Sequence, residues 1–199
     1  MIIDLHNHAE LSRNTTARLR DYLRRARGLG VGIAITEHNR LYHRGGEIAS
    51  VPVFPGMEIL NDYGDYLVFG APEDCVAHRN IFDLIDYVHR SGGVIIAAHP
   101  FAGHGVFRAV DSETAHRIIA RVDAVEVLNG RISAEANARA REAAAAHGKP
   151  GVGGSDAHSS EEMFRAATRF PCPIRTLGDL VQEIARGPCE PIRLEGQGA

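Results

Sequence analysis

The sequence has few of the residues that mark secreted or nucleic-acid-coating proteins. It has no Trp, only three Cys, and a single lysine, Lys149, among 22 basic side chains. Three cysteines without a CxxC spacing argue against a disulfide framework and favour a reducing cytoplasm. A formal net charge of −3 provides no basic excess for an extended nucleic-acid surface. No apolar run approaches the roughly 20 residues that span a bilayer, and the first residues do not resemble a signal peptide. The expectation is a cytoplasmic protein without a membrane segment.

Histidine, by contrast, is abundant. The chain has 11 His in 199 residues, with 44% hydrophobic and 24% charged side chains. That composition is typical of one globular domain with a sizeable core. Because imidazole is the commonest metal ligand and titrates near neutral pH, the excess of His is the first indication of chemistry.

Short apolar runs alternate with longer segments of helical period. This alternation predicts βα units around a largely parallel sheet, and it fits an incomplete barrel as well as a doubly wound sheet. Strands are predicted over residues 2–5, 31–36, 51–54, 66–70, 94–98, 124–128 and 150–154. Helices are predicted over residues 15–28, 80–90, 111–121, 133–147 and 176–186.

The polar residues of interest lie in or just after predicted strands. The carboxyl ends of parallel strands meet at one rim, so these side chains are expected to converge. Imidazole and carboxylate together suit Zn²⁺, Mn²⁺ or Fe²⁺. They are too many for one ion, so at least two ions are expected, with a carboxylate as the bridge. The residues are His6, His8, Glu37, His38, Glu58, His99, Glu126, Asn129, Asp156 and His158.

Six motifs in order carry a family resemblance. DLHNH, TEHN, PGME, AAHPF, VEVLNG and GSDAH resemble the PHP (polymerase and histidinol phosphatase) family of metal-dependent phosphoesterases, from about residue 2 to residue 158. The resemblance implies an α/β fold, a distorted (βα)7 TIM-like barrel with its metal cluster at the C-terminal rim of the strands. A single barrel domain is expected over residues 1–190, followed by a C-terminal tail over residues 191–199.

The resemblance also divides the ligands among two or three divalent ions. The first ion would take His6, His8, Glu58 and Asp156; the second would share Glu58 and add His99 and a donor near Asn129; the third would take His38 and His158.

The sequence departs from the family pattern at two places. Relatives commonly have a carboxylate or His shortly after the HxH pair, where this chain has Ser12-Arg13-Asn14. Arg13 cannot ligate because its guanidinium stays protonated, and Glu10 is a displaced substitute. Asn129 stands where relatives often have His. Glu37 is expected to orient His38 or another ligand.

The predicted function is hydrolysis of a phosphate monoester or a small phosphodiester by a hydroxide held between two metal ions. Arg131 and Arg13 are predicted to bind the phosphoryl group of a small phosphorylated substrate. A third ion would assist the leaving group; otherwise His158, His38 or His104 would act as the general acid.

Two alternatives stay open. One is amidohydrolase-like cleavage of a C–N or C–O bond, although the only lysine, Lys149, starts its strand at the wrong end to bridge metals. The other is a weakened metal-binding module with a structural or sensing role. Metal analysis together with turnover of a phosphate ester separates the three. The sequence carries no signal for oligomeric state.

Overall fold

The computed structural model describes residues 1–194, in which strands and helices alternate. No helix among these residues is long and apolar enough to cross a membrane. The strands are β1 (Ile2–Asp4), β2 (Gly32–His38), β3 (Gly46–Ile48), β4 (Val51–Asn61), β5 (Gly64–Phe69), β6 (Val94–Ala97), β7 (Ala124–Asn129), β8 (Gly151–Gly154), β9 (Ala166–Arg169) and β10 (Glu190–Arg193). The helices are α1 (Leu19–Leu29), α2 (Ile81–Arg90), α3 (Val106–Ala109), α4 (Ser112–Ile119), α5 (Ala134–Ala146) and α6 (Leu177–Arg186).

Side-chain caps fix where several helices begin. Asn80, Asp111 and Ser133 each accept a hydrogen bond from a backbone N–H in the first turn of α2, α4 and α5. Such caps satisfy N–H groups that have no partner within the helix. The predicted apolar face of α2 is buried, as expected from its periodicity.

The strands form one sheet that curls into a nearly closed barrel, as predicted. Its order is β10-β9-β1-β2-β4-β5-β6-β7-β8, with β3 paired to β4. The expectation of a largely parallel sheet is only partly correct. The β1–β2, β2–β4, β6–β7 and β7–β8 pairs are parallel, whereas β5 is antiparallel to β4 and β6, and β9 is antiparallel to β1 and β10.

The barrel closes where the chain beyond β8 meets the chain beyond β1. Asp156 N donates to the carbonyl of His6 at 2.7 Å, and His8 N donates to the carbonyl of Ala157 at 3.0 Å. A Cβ at Gly154 would lie 2.5 Å from the Cβ of His6. Only glycine permits this approach, and the closure brings the DLHNH and GSDAH motifs side by side.

Alternate residues of β5 face the two sides of the barrel wall. Leu67 and Phe69 belong to a cluster that also contains Leu180 and Ile184 of α6. Tyr66 and Val68 pack outward in the cluster that includes α2 and α4. Both faces of the strand are therefore apolar, which is why the sequence shows a continuous hydrophobic run here.

The sequence prediction missed β3, β9 and β10. Residues 190–193 form a strand antiparallel to β9, so the predicted tail over residues 191–199 is wrong in its first residues. Pairing with a neighbouring strand, which local patterning does not reveal, orders this segment. The rest of the predicted tail, residues 195–199, lies outside the described residues.

Candidate metal centre

The carboxylate of Glu58 is the centre of the site. Its Oε1 lies 3.4 Å from Nε2 of His6 and 3.1 Å from Nε2 of His99, and its Oε2 lies 3.3 Å from Nε2 of His8 and 3.0 Å from Nε2 of His38. Each carboxylate oxygen of Glu58 thus contacts a separate pair of imidazoles. This arrangement fits a carboxylate that bridges two cations.

Glu58 lies inside a strand, not after one. The strand predicted from the sequence ended at Phe54, but Pro55 and Gly56 both pair with β2, and β4 continues to Asn61. The register places Glu58 opposite His38 of β2 and opposite Leu67 of β5. Parallel pairing on one side and a hairpin on the other hold the carboxylate at the barrel rim.

Glu126 orients His6. Nδ1 of His6 donates to Glu126 Oε1 at 3.0 Å, which leaves Nε2 facing Glu58 and Asp156. The other oxygen, Oε2, accepts from the backbone N of His99 at 2.8 Å. Glu126 therefore orients the imidazole of His6, as carboxylates commonly do for metal-binding His, and it also holds the backbone of His99. The geometry of Glu126 fits an ion pair with His6 and not direct ligation of a metal.

Glu37 supports His8 through Ser12. The carboxylate of Glu37 accepts from the backbone N of Ala9 at 3.0 Å and of Leu11 at 3.1 Å, and from the hydroxyl of Ser12. Ser12 Oγ in turn lies 3.3 Å from Nδ1 of His8. The loop after β1 is thereby held in place, and Nε2 of His8 faces Glu58.

Two of the candidate ligands have unusual backbone conformations. His99 has φ +26° and Asp156 has φ +55°, a region that non-glycine residues rarely adopt. Such strain persists where the surrounding structure enforces it, and it concentrates at functional sites. Oδ1 of Asp156 lies 3.6 Å from Nε2 of His6 and 3.4 Å from Nε2 of His8.

Arg131 and His158 meet at the rim. Nη1 of Arg131 lies 2.9 Å from Nδ1 of His158 and 3.6 Å from Asp156 Oδ1. Glu162 holds both partners, because its Oε1 lies 3.3 Å from Arg131 Nε and its Oε2 accepts from the backbone N of His158 at 2.8 Å. Arg131 is therefore fixed beside the predicted metal ligands, whereas Glu162 was not singled out from the sequence.

The donor atoms fit divalent metal ions. Nε2 of His6 and Nε2 of His8, which face Glu58 and Asp156, are buried without a hydrogen-bond partner. Four overlapping sets of three donors have ligand atoms within 4.8 Å of one another: His8, His38 and His158; His6, His8 and Glu58; His6, His99 and Asp156; Glu58, Asp65 and His99. Buried polar atoms are rarely left unpaired, so convergent orphan nitrogens among carboxylates are typical of a cation site.

The electrostatics of the site also favour positive charge beside the carboxylates. Burial alone would lower the pKa of His6 and of His99. The neighbouring carboxylates instead raise the pKa of His6 well above its usual value and that of His99 to about 9. Protons therefore neutralise the carboxylates when no other cation does so. Binding of metal would release these protons.

A cavity of about 330 Å³ opens above Glu58. His38, His99, Arg131, Asp156 and His158 line it. Its walls also include Asn14, Leu60, Asp65, Gly103, His104 and Ile132.

Sequence reasoning missed Asp65. The predicted strand began one residue later, at Tyr66, although Asp65 shares the inward face of β5 with Leu67 and Phe69. Its side chain is buried, and its Oδ1 lies 3.2 Å from Nδ1 of His104. Period-two alternation extended by one residue would have found it.

Three predicted or alternative site residues have other roles. The Nδ2 group of Asn129 donates to Glu126 and Asp156, and its Oδ1 accepts from the backbone N of Arg131, an arrangement that does not fit the predicted ligand role. Arg13 is exposed, and the described residues that line the cavity include its neighbour Asn14 and not Arg13. The preceding residue, Ser12, donates its hydroxyl to the buried carboxylate of Glu37. Glu10 accepts from the backbone N of Leu19 at 3.1 Å, away from the cluster.

A buried carboxyl beneath the site predicts a pH-dependent stability. Asp4 Oδ1 accepts from the backbone N of Ser155 at 2.8 Å, and Oδ2 has no hydrogen-bond partner. Burial raises the pKa of Asp4 from 3.8 to about 7. The folded chain therefore holds this proton more tightly than the unfolded chain, and the associated stability is lost as pH rises towards 7.

We expect Asp4→Asn to remove that loss. Between pH 5 and pH 8 without metal, the wild-type free energy of unfolding should fall by about 2–3 kcal/mol relative to the variant. Urea unfolding at several pH values measures the difference, with the exposed Asp62→Asn as control. Parallel profiles for wild type and Asp4→Asn would contradict this assignment.

The chain is similar to proteins of known sequence and structure. A family model described as PHP-associated matches residues 134–189. An uncharacterised protein of Methanocaldococcus jannaschii is 27% identical over 179 residues, which cover 85% of this chain and 70% of that protein.

Solved structures share the fold at low sequence identity. PsfC from Pseudomonas syringae superposes with a TM-score of 0.76 and 20% identity over 98% of this chain and 92% of PsfC. A two-domain Bacteroides vulgatus protein that contains a predicted PHP-like metal-dependent phosphoesterase gives 0.72 and 14%, over 97% of this chain and 64% of that chain. The lesion-specific endonuclease Q of Pyrococcus furiosus gives 0.71 and 16%, over 96% and 57%.

At these identities the structural matches establish the fold alone. The family model adds an independent match over the segment that contains Asp156 and His158. These matches agree with the resemblance to the PHP family that the ordered motifs carry.

Proposed function

We propose that this protein is a metal-dependent phosphoesterase that hydrolyses a phosphate monoester or a small phosphodiester. One observation carries the proposal: each oxygen of Glu58 faces a pair of imidazoles at the floor of a cavity whose rim bears Arg131. Two or three divalent ions, of Zn, Mn or Fe, match this mixture of donors.

The ligands divide as the family resemblance implies. His6, His8, Glu58 and Asp156 would hold one ion, and Glu58 and His99 would share in a second. When bound, such ions lower the pKa of water and neutralise charge on a phosphoryl group. The protein contributes by fixing the ligands, through Glu126 behind His6 and Ser12 behind His8.

Arg131 binds the phosphoryl oxygens in this proposal. Its described contacts use Nε and Nη1 and hold the guanidinium beside Asp156 and His158. A fixed cation at this place stabilises negative charge as it develops, without reorganisation during the reaction.

His38 and His158 provide either a third cation site or a proton donor. Burial lowers the pKa of His158, so its ring is neutral at pH 7 and suits a metal ligand. His38 has a side chain that is 24% exposed and reaches the open cavity. We therefore assign proton donation to His38 when the third ion is absent.

The cavity favours a small substrate. About 330 Å³ is near the lower end of the range for small-molecule sites. Leu60 and Ile132 supply apolar contacts for the alcohol group of the ester. A duplex nucleic acid, the substrate of endonuclease Q, would need a contact surface well beyond this cavity.

The amidohydrolase-like alternative lacks its bridging lysine. Lys149 precedes β8 and lies beside Asp123 and Arg186 around a separate cavity. That position is at the amino ends of the parallel strands, opposite Glu58. The carboxylate of Glu58 is left as the bridge, which favours the phosphoesterase.

A substrate panel tests the proposal. Protein loaded with Mn²⁺ or Zn²⁺ is expected to hydrolyse an aryl phosphate or an aryl phosphodiester and to lose this activity with chelator. Release of phosphate or nitrophenolate is the readout. Turnover of amides or carboxylic esters alone would favour the amidohydrolase-like hypothesis. Full metal loading without turnover of any phosphoester would favour a non-catalytic module, and cleavage of abasic duplex DNA alone would contradict the small-substrate proposal.

Arg131→Ala is expected to lower kcat/KM for that phosphoester by about 100-fold, as loss of one group that stabilises the transition state does. The matched control is Arg90→Ala, since Arg90 is exposed at the end of α2. Steady-state kinetics with each metal-loaded variant measures the effect. Equal kcat/KM for wild type and Arg131→Ala would remove Arg131 from the site.

A further inference from the structure

The second cation site lacks a donor if it is built as the family resemblance implies. Asn129, the residue predicted to complete it with Glu58 and His99, presents its Nδ2 group to Glu126 at 3.0 Å and to Asp156 at 3.2 Å. Its Oδ1 accepts from the backbone N of Arg131 at 2.9 Å. The amide therefore organises the carboxylates and the rim.

Asp65 lies where that donor is needed. One ligand atom each of Asp65, Glu58 and His99 falls within 4.8 Å of the others. Asp65 belongs to β5, which pairs with β4 on one side and β6 on the other. Its carbonyl accepts from the backbone N of Ala98 at 3.0 Å, which brings Asp65 beside the next residue, His99.

Burial and hydrogen bonding fit a ligand. Asp65 is 6% exposed and His99 is 7% exposed, and Nε2 of His99 lies 3.1 Å from Oε1 of Glu58. Two carboxylates, Asp65 and Glu58, share this pocket, and burying them together is costly unless a cation compensates. Nδ1 of His104 lies 3.2 Å from Oδ1 of Asp65, as partners that orient metal ligands do.

We propose that Asp65, Glu58 and His99 form the second divalent-cation site, with Asp65 in the place predicted for Asn129. Two carboxylates and one imidazole suit Mn²⁺, Fe²⁺ or Zn²⁺. The inference rests on the proposed function, because it assigns a ligand within the same metal centre.

Metal binding, measured apart from activity, tests the assignment. Wild type, Asp65→Asn, Asn129→Ala and the control Asp62→Asn are loaded with Mn²⁺ or Zn²⁺, desalted, and analysed for metal per chain. Asp62 is an exposed acid in the turn between β4 and β5. We expect Asp65→Asn to lose one equivalent, or to bind it more than about 100-fold more weakly in a chelator competition, beyond the range for groups that only orient ligands. Asp62→Asn should keep the wild-type number and affinity, whereas Asn129→Ala should keep the number of ions and weaken their binding by no more than about 10–100-fold, as expected of a group that only orients ligands.

Two further variants distinguish a loss of metal ligation from a folding defect and from loss of the contact between Asp65 and His104. Asp65→Glu keeps a carboxylate and should retain the equivalent that Asp65→Asn loses. His104→Ala removes the partner of Asp65 and should keep the full number of ions, with affinity lowered by no more than about 10–100-fold. Circular dichroism and thermal melting establish that each variant is folded.

The outcomes distinguish this inference from the proposed function. If wild type binds two or more equivalents and Asp65→Asn keeps them all with unchanged affinity, Asp65 is not a ligand and the metal centre stands. Loss of an equivalent in Asn129→Ala alone would return the site to the predicted set. A wild-type chain that binds no metal would overturn the metal centre itself.

Discussion

Glu58→Gln is expected to abolish phosphoesterase activity and to empty the metal centre. The substitution keeps the size of the side chain but removes the charge that faces His6, His8, His38 and His99. Changing groups that only orient ligands costs about 10–100-fold in metal affinity. Loss of the shared carboxylate should therefore weaken metal binding by more than about 100-fold, and activity with it.

The matched control is Glu47→Gln, an exposed glutamate of β3. Both variants are compared with wild type by metal content after desalting and by turnover of the phosphoester that the panel identifies. Glu47→Gln should match wild type in both. A Glu58→Gln variant with full metal content and normal turnover would show that this carboxylate does not bridge the cluster.

Removing metal should lower the thermal stability of the protein by a large amount. Metal binds the folded chain at a site that the unfolded chain does not preserve, and a thousandfold excess over Kd stabilises by about 4 kcal/mol. For a chain of this length that corresponds to roughly 8–16 °C in Tm.

Thermal melting with chelator and with saturating Mn²⁺ or Zn²⁺ measures this shift at pH 7.5. The Glu58→Gln variant should lose most of it, whereas Glu47→Gln should keep it. Coincident melting curves for the chelated and metal-loaded wild type would mean that the buried donors do not hold a cation in the folded protein.

Much of the site could be predicted because most motifs place metal-ligating residue types directly after an apolar run that forms a strand. Five of the predicted ligands follow apolar runs that the sequence predicts to be strands: His6 and His8 after β1, His99 after β6, and Asp156 and His158 after β8. The βα alternation predicted that these strand ends converge, and the structure brings all five residues to one cavity or its floor.

The remaining details depend on pairing between distant segments. Pro55-Gly56 looks like a turn locally, yet β2 pairs with both residues and draws them into β4. The antiparallel hairpin of β4 and β5 follows from that register and brings Asp65 beside Glu58. β9 and β10 are four residues each; β9 pairs with β1 at the other end of the chain, and β10 pairs with β9.

The motifs likewise do not predict the direction in which a side chain points. Asn129 occupies the expected position, but its direction is set by Glu126, Asp156 and the backbone of Arg131. Arg13 follows the HxH pair as predicted, but Glu37 and Ser12 shape the loop so that it turns outward. Spacing in a sequence places a residue near a site, whereas hydrogen bonds decide which way it points.

Metal content per chain tests the central claim most directly. Wild-type protein, purified, reconstituted with Zn²⁺, Mn²⁺ or Fe²⁺ and desalted, is analysed by inductively coupled plasma mass spectrometry, with Glu58→Gln in parallel. The account predicts two or more equivalents in wild type and fewer in the variant. Folded wild-type protein that retains no ion under these conditions would contradict it.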